Sequence, residues 1–132
     1  MSYLTYEEAK DFENAILRCP FEKCNARLIK LLPALLETKT VITGAPEMTR
    51  ESTQFFKVND VWDFDNIGVL RPAELKTELS VVGPLAKVER LLICSDCDRG
   101  PLGFAGFKDD SETDVKKLSY FLSCESVLYD KQ

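Results

Sequence analysis

Apolar residues recur at two different periods along this chain. Over residues 5–17, TYEEAKDFENAIL, Ala9, Phe12 and Ile16 are spaced by three and four positions, as on one face of a helix. Thr5 followed by Glu8 supplies a capping box at its start. That face predicts a short helix packed on the domain, with a docking helix for a partner as the alternative. Beyond residue 18 the pattern changes. CPFEKCNARLIKLL (19–32) predicts a tight turn and then a strand. FFKVNDVWDF (55–64), VERLLIC (88–94) and LGFAGFK (102–108) predict strands, the first rich in β-branched and aromatic residues. In LSYFLSCESVLY (118–129), Leu118, Tyr120, Leu122 and Cys124 alternate on one face and predict a closing strand.

The segments between carry turn and loop chemistry. ETKTVITGAPEMTRESTQ (37–54) mixes Thr, Gly, Pro and charge and predicts a long loop. IGVLRPAELKTELSVVGPLAK (67–87) predicts a loop with one helical turn, and KDDSETD (108–114) a solvated turn. Strands outnumber helices. The expected class is mainly β, with an N-terminal helical extension over residues 1–17 and one domain over 18–132.

Composition narrows the function classes. The 132 residues suit one domain, 45% hydrophobic and 30% charged. No apolar run approaches the roughly 20 residues that span a bilayer. The acidic start MSYLTYEEAKDF does not read as a secretory signal. The expected location is therefore cytoplasmic, without stable membrane insertion. Net charge is −5, from 17 basic and 22 acidic residues, with no basic stripe. Nucleic acid is excluded as an expected partner, and a basic protein surface is favoured. The chain contains no histidine, which removes the commonest general base near neutral pH and lowers the expectation of catalysis.

The cysteines change the picture most. Cys19 and Cys24 stand in CPFEKC, and Cys94 and Cys97 in LLICSDCDRGPLGF. Two close pairs on separate turns are what a tetrahedral zinc ion requires, each turn offering two thiolates. A structural disulfide is disfavoured in a reducing compartment. A thioredoxin-like pair would open a helix, whereas Gly100-Pro101-Leu102-Gly103 is poor helix material. Structural zinc is therefore preferred over a redox couple or inert thiols. With four cysteine ligands the ion would have no open position and no catalytic role. Cys124, on the alternating face of the last strand and with no histidine to activate it, is read as core.

VNDVWDFDNIGV (58–69) is the other unusual stretch. Asp63, Asp65, Gly68 and Glu74 fit four positions of a calcium loop. Ile67 stands where an oxygen ligand is wanted, however, and Pro72 lies inside it. Two readings of the stretch stay open. It is a core strand with carboxylates in water, or an interaction surface in which Val61, Trp62 and Phe64 are ringed by Asp60, Asp63 and Asp65.

Taken in order, CPFEKC, NDVWDFDNIGV and LLICSDCDRGPLGF resemble the Rab-interacting zinc-binding factors, with the first knuckle similar to that of the fungal branch. The resemblance covers about residues 19–129 and leaves the N-terminal helix outside. It implies a β-tent, a folded antiparallel sheet with a four-cysteine zinc site of Cys19, Cys24, Cys94 and Cys97. It implies binding to exocytic Rab-family small GTPases in nucleotide-free form, and release of their guanine nucleotide, as a slow exchange factor or chaperone. Apart from the resemblance, the chain is expected to be monomeric alone. The positions it implies for the partner are Asp60, Val61, Trp62 and Asp96, with Asp63, Asp65 and Asn66 nearby. Val61 and Trp62 depart from the animal members, which carry other apolar residues there. The resemblance also gives Asp96 a role: on a turn fixed by two metal-bound cysteines, its side chain would be aimed at the partner. The competing classes are a methionine-R-sulfoxide reductase of the B type, which shares the β-tent but uses histidine, and a zinc-stabilised adaptor without a GTPase partner.

Overall fold

The structure is a computed structural model that describes residues 3–9, 14–21, 23–42, 48–51, 53–70, 87–109, 111 and 114–130. Nine strands form two antiparallel sheets among these residues. The smaller sheet orders β2 (Arg27–Lys30), β1 (Ile16–Arg18) and β9 (Leu128–Asp130). The larger orders β3 (Thr40–Val41), β4 (Gln54–Val58), β8 (Ser119–Ser123), β7 (Gly103–Phe107), β6 (Lys87–Cys94) and β5 (Ile67–Leu70). Two single-turn helices, α1 (Tyr6–Ala9) and α2 (Pro33–Leu36), complete the described elements with short 3₁₀ turns at Val61–Asp63 and Val115–Lys117. The mainly β class expected from the sequence is the class observed. No described helix is long and apolar enough to cross a membrane.

Strand alternation divides the core. In β4, Phe56 and Val58 turn to the cluster shared with the smaller sheet, which includes Leu17, Leu28, Leu92, Leu122 and Tyr129. Phe55 turns the other way, to a second cluster with Ile42, Met48, Val88, Leu91, Phe104 and Phe121. Phe104 stacks on Phe121 and meets Phe55 edge-on, with ring centroids 5.4 and 5.2 Å apart. Both faces of the large sheet are thus covered, so β7 and β8 are buried along their whole length. An irregularity between Val88 and Arg90 in the β6–β7 pairing lets Val88 and Leu91 share a face although they are three residues apart.

The helix expected over 5–17 is shorter. Its cap forms as read: the Thr5 amide donates to Glu8 Oε1 at 3.0 Å, which holds the Glu8 carboxyl below its ordinary value. Tyr6 and Ala9 pack into the core, and the Tyr6 hydroxyl donates to Gln54 Oε1 at 2.7 Å. But Ile16 and Leu17 belong to the central strand of the small sheet, paired with β2 and β9. The apolar spacing that suggested a helix is satisfied there by sheet pairing. Phe12, in the same predicted face, lies outside the described residues.

Other boundaries shift for local reasons. The strand expected over 55–64 ends at Val58, because Asp60 forms a turn: its Oδ1 accepts from the Trp62 amide and its carbonyl from the Asp63 amide, both at 3.0 Å. The strand expected over 118–129 is two strands. After Cys124 donates its amide to the Gln54 carbonyl, the Ser126 amide turns back to Ser123, and the chain passes from the large sheet to the small. Cys124 is fully buried in the core, as its alternating position suggested. Ile67–Leu70, read as loop, is a strand paired with β6, and the 37–54 loop contains β3. Most of the stretch read as a loop with one helical turn, residues 71–86, lies outside the described residues, as do Glu74 and Pro72.

Gly103 sits between Leu92 of β6 and Leu122 of β7's other neighbour, β8. A side-chain carbon there would run into the Phe121 carbonyl oxygen and sit 3.0 Å from Leu122 Cα. Neither backbone can yield without opening the ladder. Gly103→Ala is expected to cost on the order of 1–3 kcal/mol; an unchanged midpoint in urea unfolding would refute it.

Candidate metal centre and partner surface

Two short turns are built to present sulfur. The first joins β1 to β2. Cys19 donates its amide to the Ala26 carbonyl at 2.9 Å, closing the loop, and Asn25 Nδ2 donates to the Cys19 carbonyl at 2.9 Å. Lys23 and Asn25 flank Cys24 with φ of 70° and 51°, the left-handed region that reverses the chain tightly. The second turn leaves β6. The Asp98 amide donates to the Cys94 carbonyl at 2.8 Å, and Asp98 itself takes φ 56°. The Arg99 guanidinium lies 5.6 Å from the centre of the Phe21 ring, so the two turns also touch outside the sulfurs.

Cys19, Cys24, Cys94 and Cys97 converge, with all four sulfurs within 4.8 Å of one another. Cys19 and Cys97 are 3.6 Å apart, as are Cys24 and Cys94. A tetrahedral ion bound to thiolates at about 2.3 Å would set them about 3.8 Å apart. The donor set and spacing therefore fit a metal ion. Burial pushes the Cys19 and Cys94 thiols above their ordinary value. At Cys24 burial pushes the same way, but the Ala26 amide and the neighbouring thiols outweigh it and lower the thiol. Amide hydrogen bonds aim at the sulfurs from Phe21 toward Cys19, and from Asp96 and Cys97 toward Cys94. Such donors favour the thiolate, the form a metal takes.

The acidic-aromatic segment leads from β4 to β5, and Ile67 pairs with Cys94. The segment thus ends beside the second cysteine turn. Trp62 is 88% exposed, whereas Phe64 is buried and meets Tyr120 edge-on at 6.4 Å. The two readings of this stretch divide between its two aromatics: Phe64 is core and Trp62 is surface. Asp60, Asp63 and Asp96 are exposed as well. Tyr120 beneath the segment is raised by burial and by the Asp60 charge, with Arg90 opposing. The side chain of Val61 lies outside the described residues. Asp65 and Asn66 bind within the chain: Arg27 Nε meets Asp65 Oδ2 at 2.7 Å, and Asn66 Nδ2 donates to the Arg27 carbonyl at 2.8 Å.

Sequence reasoning missed Arg27, whose partner is 38 residues away and leaves no local pattern. It also missed a groove of about 390 Å³ between α2 and the segment, lined by Ile29, Leu32, Leu35, Lys57, Asp63 and Asp65 among others. Asn25 was missed as well; its signal was an asparagine directly after the cysteine turn, a residue that tolerates the left-handed region it adopts.

Residues 14–129 match the family model described as "Mss4 protein". "Protein DSS4" of Saccharomyces cerevisiae is 30% identical over 136 residues, covering 83% of this chain and 92% of the relative. "Guanine nucleotide exchange factor MSS4 homolog" of Schizosaccharomyces pombe is 34% identical over 74 residues, covering 56% of this chain and 54% of the relative.

Purified protein should carry one tightly bound metal ion per chain, read by elemental analysis; a content near zero in folded protein would refute the site. In the loaded fold the four sulfurs carry no protons, while thiols of the unfolded chain titrate at about 8.5. The unfolded state then binds more protons below that value, so stability of the loaded protein should rise with pH up to it and fall on acidification, with metal release. Thermal unfolding and colorimetric metal release between pH 5 and pH 9, together, check the sign.

Proposed function

The chain belongs to the Mss4 protein family, and from that membership we propose that it binds a small GTPase of the exocytic Rab class in nucleotide-free form and promotes release of guanine nucleotide. The observation that carries the reading is Trp62, a large aromatic 88% exposed on a turn that also exposes Asp60 and Asp63. An apolar anchor inside a charged rim is the anatomy of a binding hot spot. The guanine nucleotide exchange activity in the name of the Schizosaccharomyces pombe relative supports the same reading.

The metal we propose is zinc, one per chain. An all-thiolate tetrahedral set suits it, and with no open position its contribution is to fold the domain. Its effect on function is indirect. Asp96 sits on the turn that the Asp98 amide closes on the Cys94 carbonyl, and its side chain is exposed. Asp96, Asp60 and Asp63 then offer carboxylates to the basic residues with which a GTPase holds phosphate. Competition for those residues weakens nucleotide binding, and the net charge of −5 speeds encounter with a basic face. The same proposal has the protein acting in the cytoplasm as a monomer and meeting vesicle membranes of the exocytic pathway through its GTPase.

A reductase of the methionine sulfoxide type is disfavoured by the position of Cys124, fully buried with its amide tied to β4. A nucleophile needs access and a base, and the chain has no histidine.

Trp62→Ala should weaken binding to a nucleotide-free Rab GTPase by about 2 kcal/mol, with metal content and thermal midpoint unchanged because the side chain is exposed. Asp96→Ala should weaken it too. Its loss should flatten the salt dependence of association if the carboxylate acts at the rim. Stopped-flow release of a fluorescent guanine nucleotide reads both; wild-type rates in both folded variants would sink the proposal.

Cys124→Ser should lose on the order of 1–3 kcal/mol of stability, because a hydroxyl gives up more hydration on burial in the core than an apolar thiol does, yet keep nucleotide release and metal content. Loss of release in a folded Cys124→Ser protein would mean that the thiol is functional.

A further inference from the structure

Three ties that hold the segment carrying Trp62 to the rest of the molecule fall on two adjacent residues. Strand β2 lies at the edge of the small sheet. Along its outer side the Asp65 amide donates to the Leu28 carbonyl at 2.6 Å, and Asn66 Nδ2 donates to the Arg27 carbonyl at 2.8 Å. Arg27 reaches back from the same strand to Asp65 Oδ2 at 2.7 Å. Two consecutive residues of the segment are therefore stitched to two consecutive residues of the strand.

We infer that Arg27, Asp65 and Asn66 are positioning residues: a clamp that holds the Trp62 turn against the edge of the small sheet, without touching the partner themselves. The inference rests on the reading of this segment as the GTPase-binding surface. The bonds at Asp60 shape the turn internally but tie it to no other element. Phe64 anchors it from below, in the core. The clamp fixes the direction in which the turn projects. Its two ends are well chosen for that purpose. Arg27 begins three residues after Cys24, and Ile67 pairs with Cys94, so the turn hangs between the two cysteine turns. Asp65 and Asn66 have already committed an amide, a carboxylate oxygen and a side-chain nitrogen within the chain. A partner that used these atoms would have to break the stitching that presents Trp62.

The Arg27–Asp65 pair is nearly half exposed, at 46% and 42%, so solvent screens it and its contribution to global stability is small. Its effect is on local order. A mobile segment must be immobilised on binding, and a held one has less ordering left to do.

The test uses isotope-labelled wild-type protein, Arg27→Gln, Asp65→Asn, their double variant and Asn66→Ala, with thermal unfolding in parallel. Backbone amide order parameters over residues 60–66 should be near 0.85 in the wild type, as for rigid backbone, and fall toward about 0.6 in each variant. Those of β6 and β7 should not move. In binding to a purified, nucleotide-free exocytic Rab GTPase, each single variant should lose about two- to five-fold, the scale of an exposed ion pair. The double variant should lose no more than either single one. Order parameters unchanged in the variants would overturn the clamp. Additive losses in the double variant would overturn it too, since Asp65 would then act on the partner without Arg27. If Trp62→Ala binds normally, the surface reading has failed, while the order parameters still decide the clamp on the protein alone.

Discussion

Four sulfurs at the meeting point of two sheets set the terms for the rest of this fold. One pair sits on the turn between β1 and β2 of the small sheet, the other at the end of β6 in the large one. Sixty-nine residues separate Cys24 from Cys94, so joining them closes a long loop of chain. Thiols brought this close are awkward without a counter-charge. Burial resists ionisation at Cys19 and Cys94, and thiolates 3.6 Å apart would repel. A bound cation removes both objections at once and turns the crowding into cohesion. The described cores are modest, and a small β domain gains much from such a staple.

The same constraint reaches the surface. A carboxylate on a flexible loop loses entropy when a partner orders it. Asp96, between two cysteines of the candidate metal set, sits on a turn closed by the Asp98 amide on the Cys94 carbonyl and has less of that freedom left to lose. Trp62 is presented in a comparable way from the other side, by the Asp60 turn above Phe64 and by the stitching of Asp65 and Asn66 to β2. Exposed aromatic and exposed acid are therefore both held on short, internally bonded turns, on segments that the pairing of Ile67 with Cys94 joins.

Much of this was legible in the sequence, and the failures have physical causes. The cysteine pairs declared themselves by spacing, because tight turns are local. Strand β7 did so by an unbroken run without polar side chains, since it is buried along its whole length. Ile16 misled because a residue at helical spacing from Ala9 is equally able to enter a strand when β2 and β9 lie on either side of it. Residues 118–129 misled because one apolar alternation runs through two strands, and the turn between them is made by Ser123 and Ser126 with no glycine or proline to mark it. The Trp62 stretch could not be resolved by alternation at all. Its geometry depends on the Asp60 side chain capping an amide two residues on, and its direction on Arg27, which is remote in sequence.

The absence of histidine, which first counted against catalysis, is consistent with how a nucleotide-releasing factor works. Such a protein makes and breaks no covalent bond. It shifts an equilibrium, and it can shift it only by its differential affinity for the nucleotide-free and nucleotide-bound GTPase. That difference comes from groups that fit one state and clash with, or compete against, the other. In the function proposed above, carboxylates serve because nucleotide is itself an anion: both seek the same basic residues. Rigidity sharpens the competition, since a pre-ordered carboxylate loses little on binding and an ordered aromatic fixes where it lands. On this reading the metal acts as a structural spacer for Asp96, and the chemistry of the site is electrostatic substitution without proton transfer. A protein of that kind needs acids, an aromatic anchor and a stiff frame, and those are the features that Asp60, Asp63, Asp96, Trp62 and the four cysteines bring together.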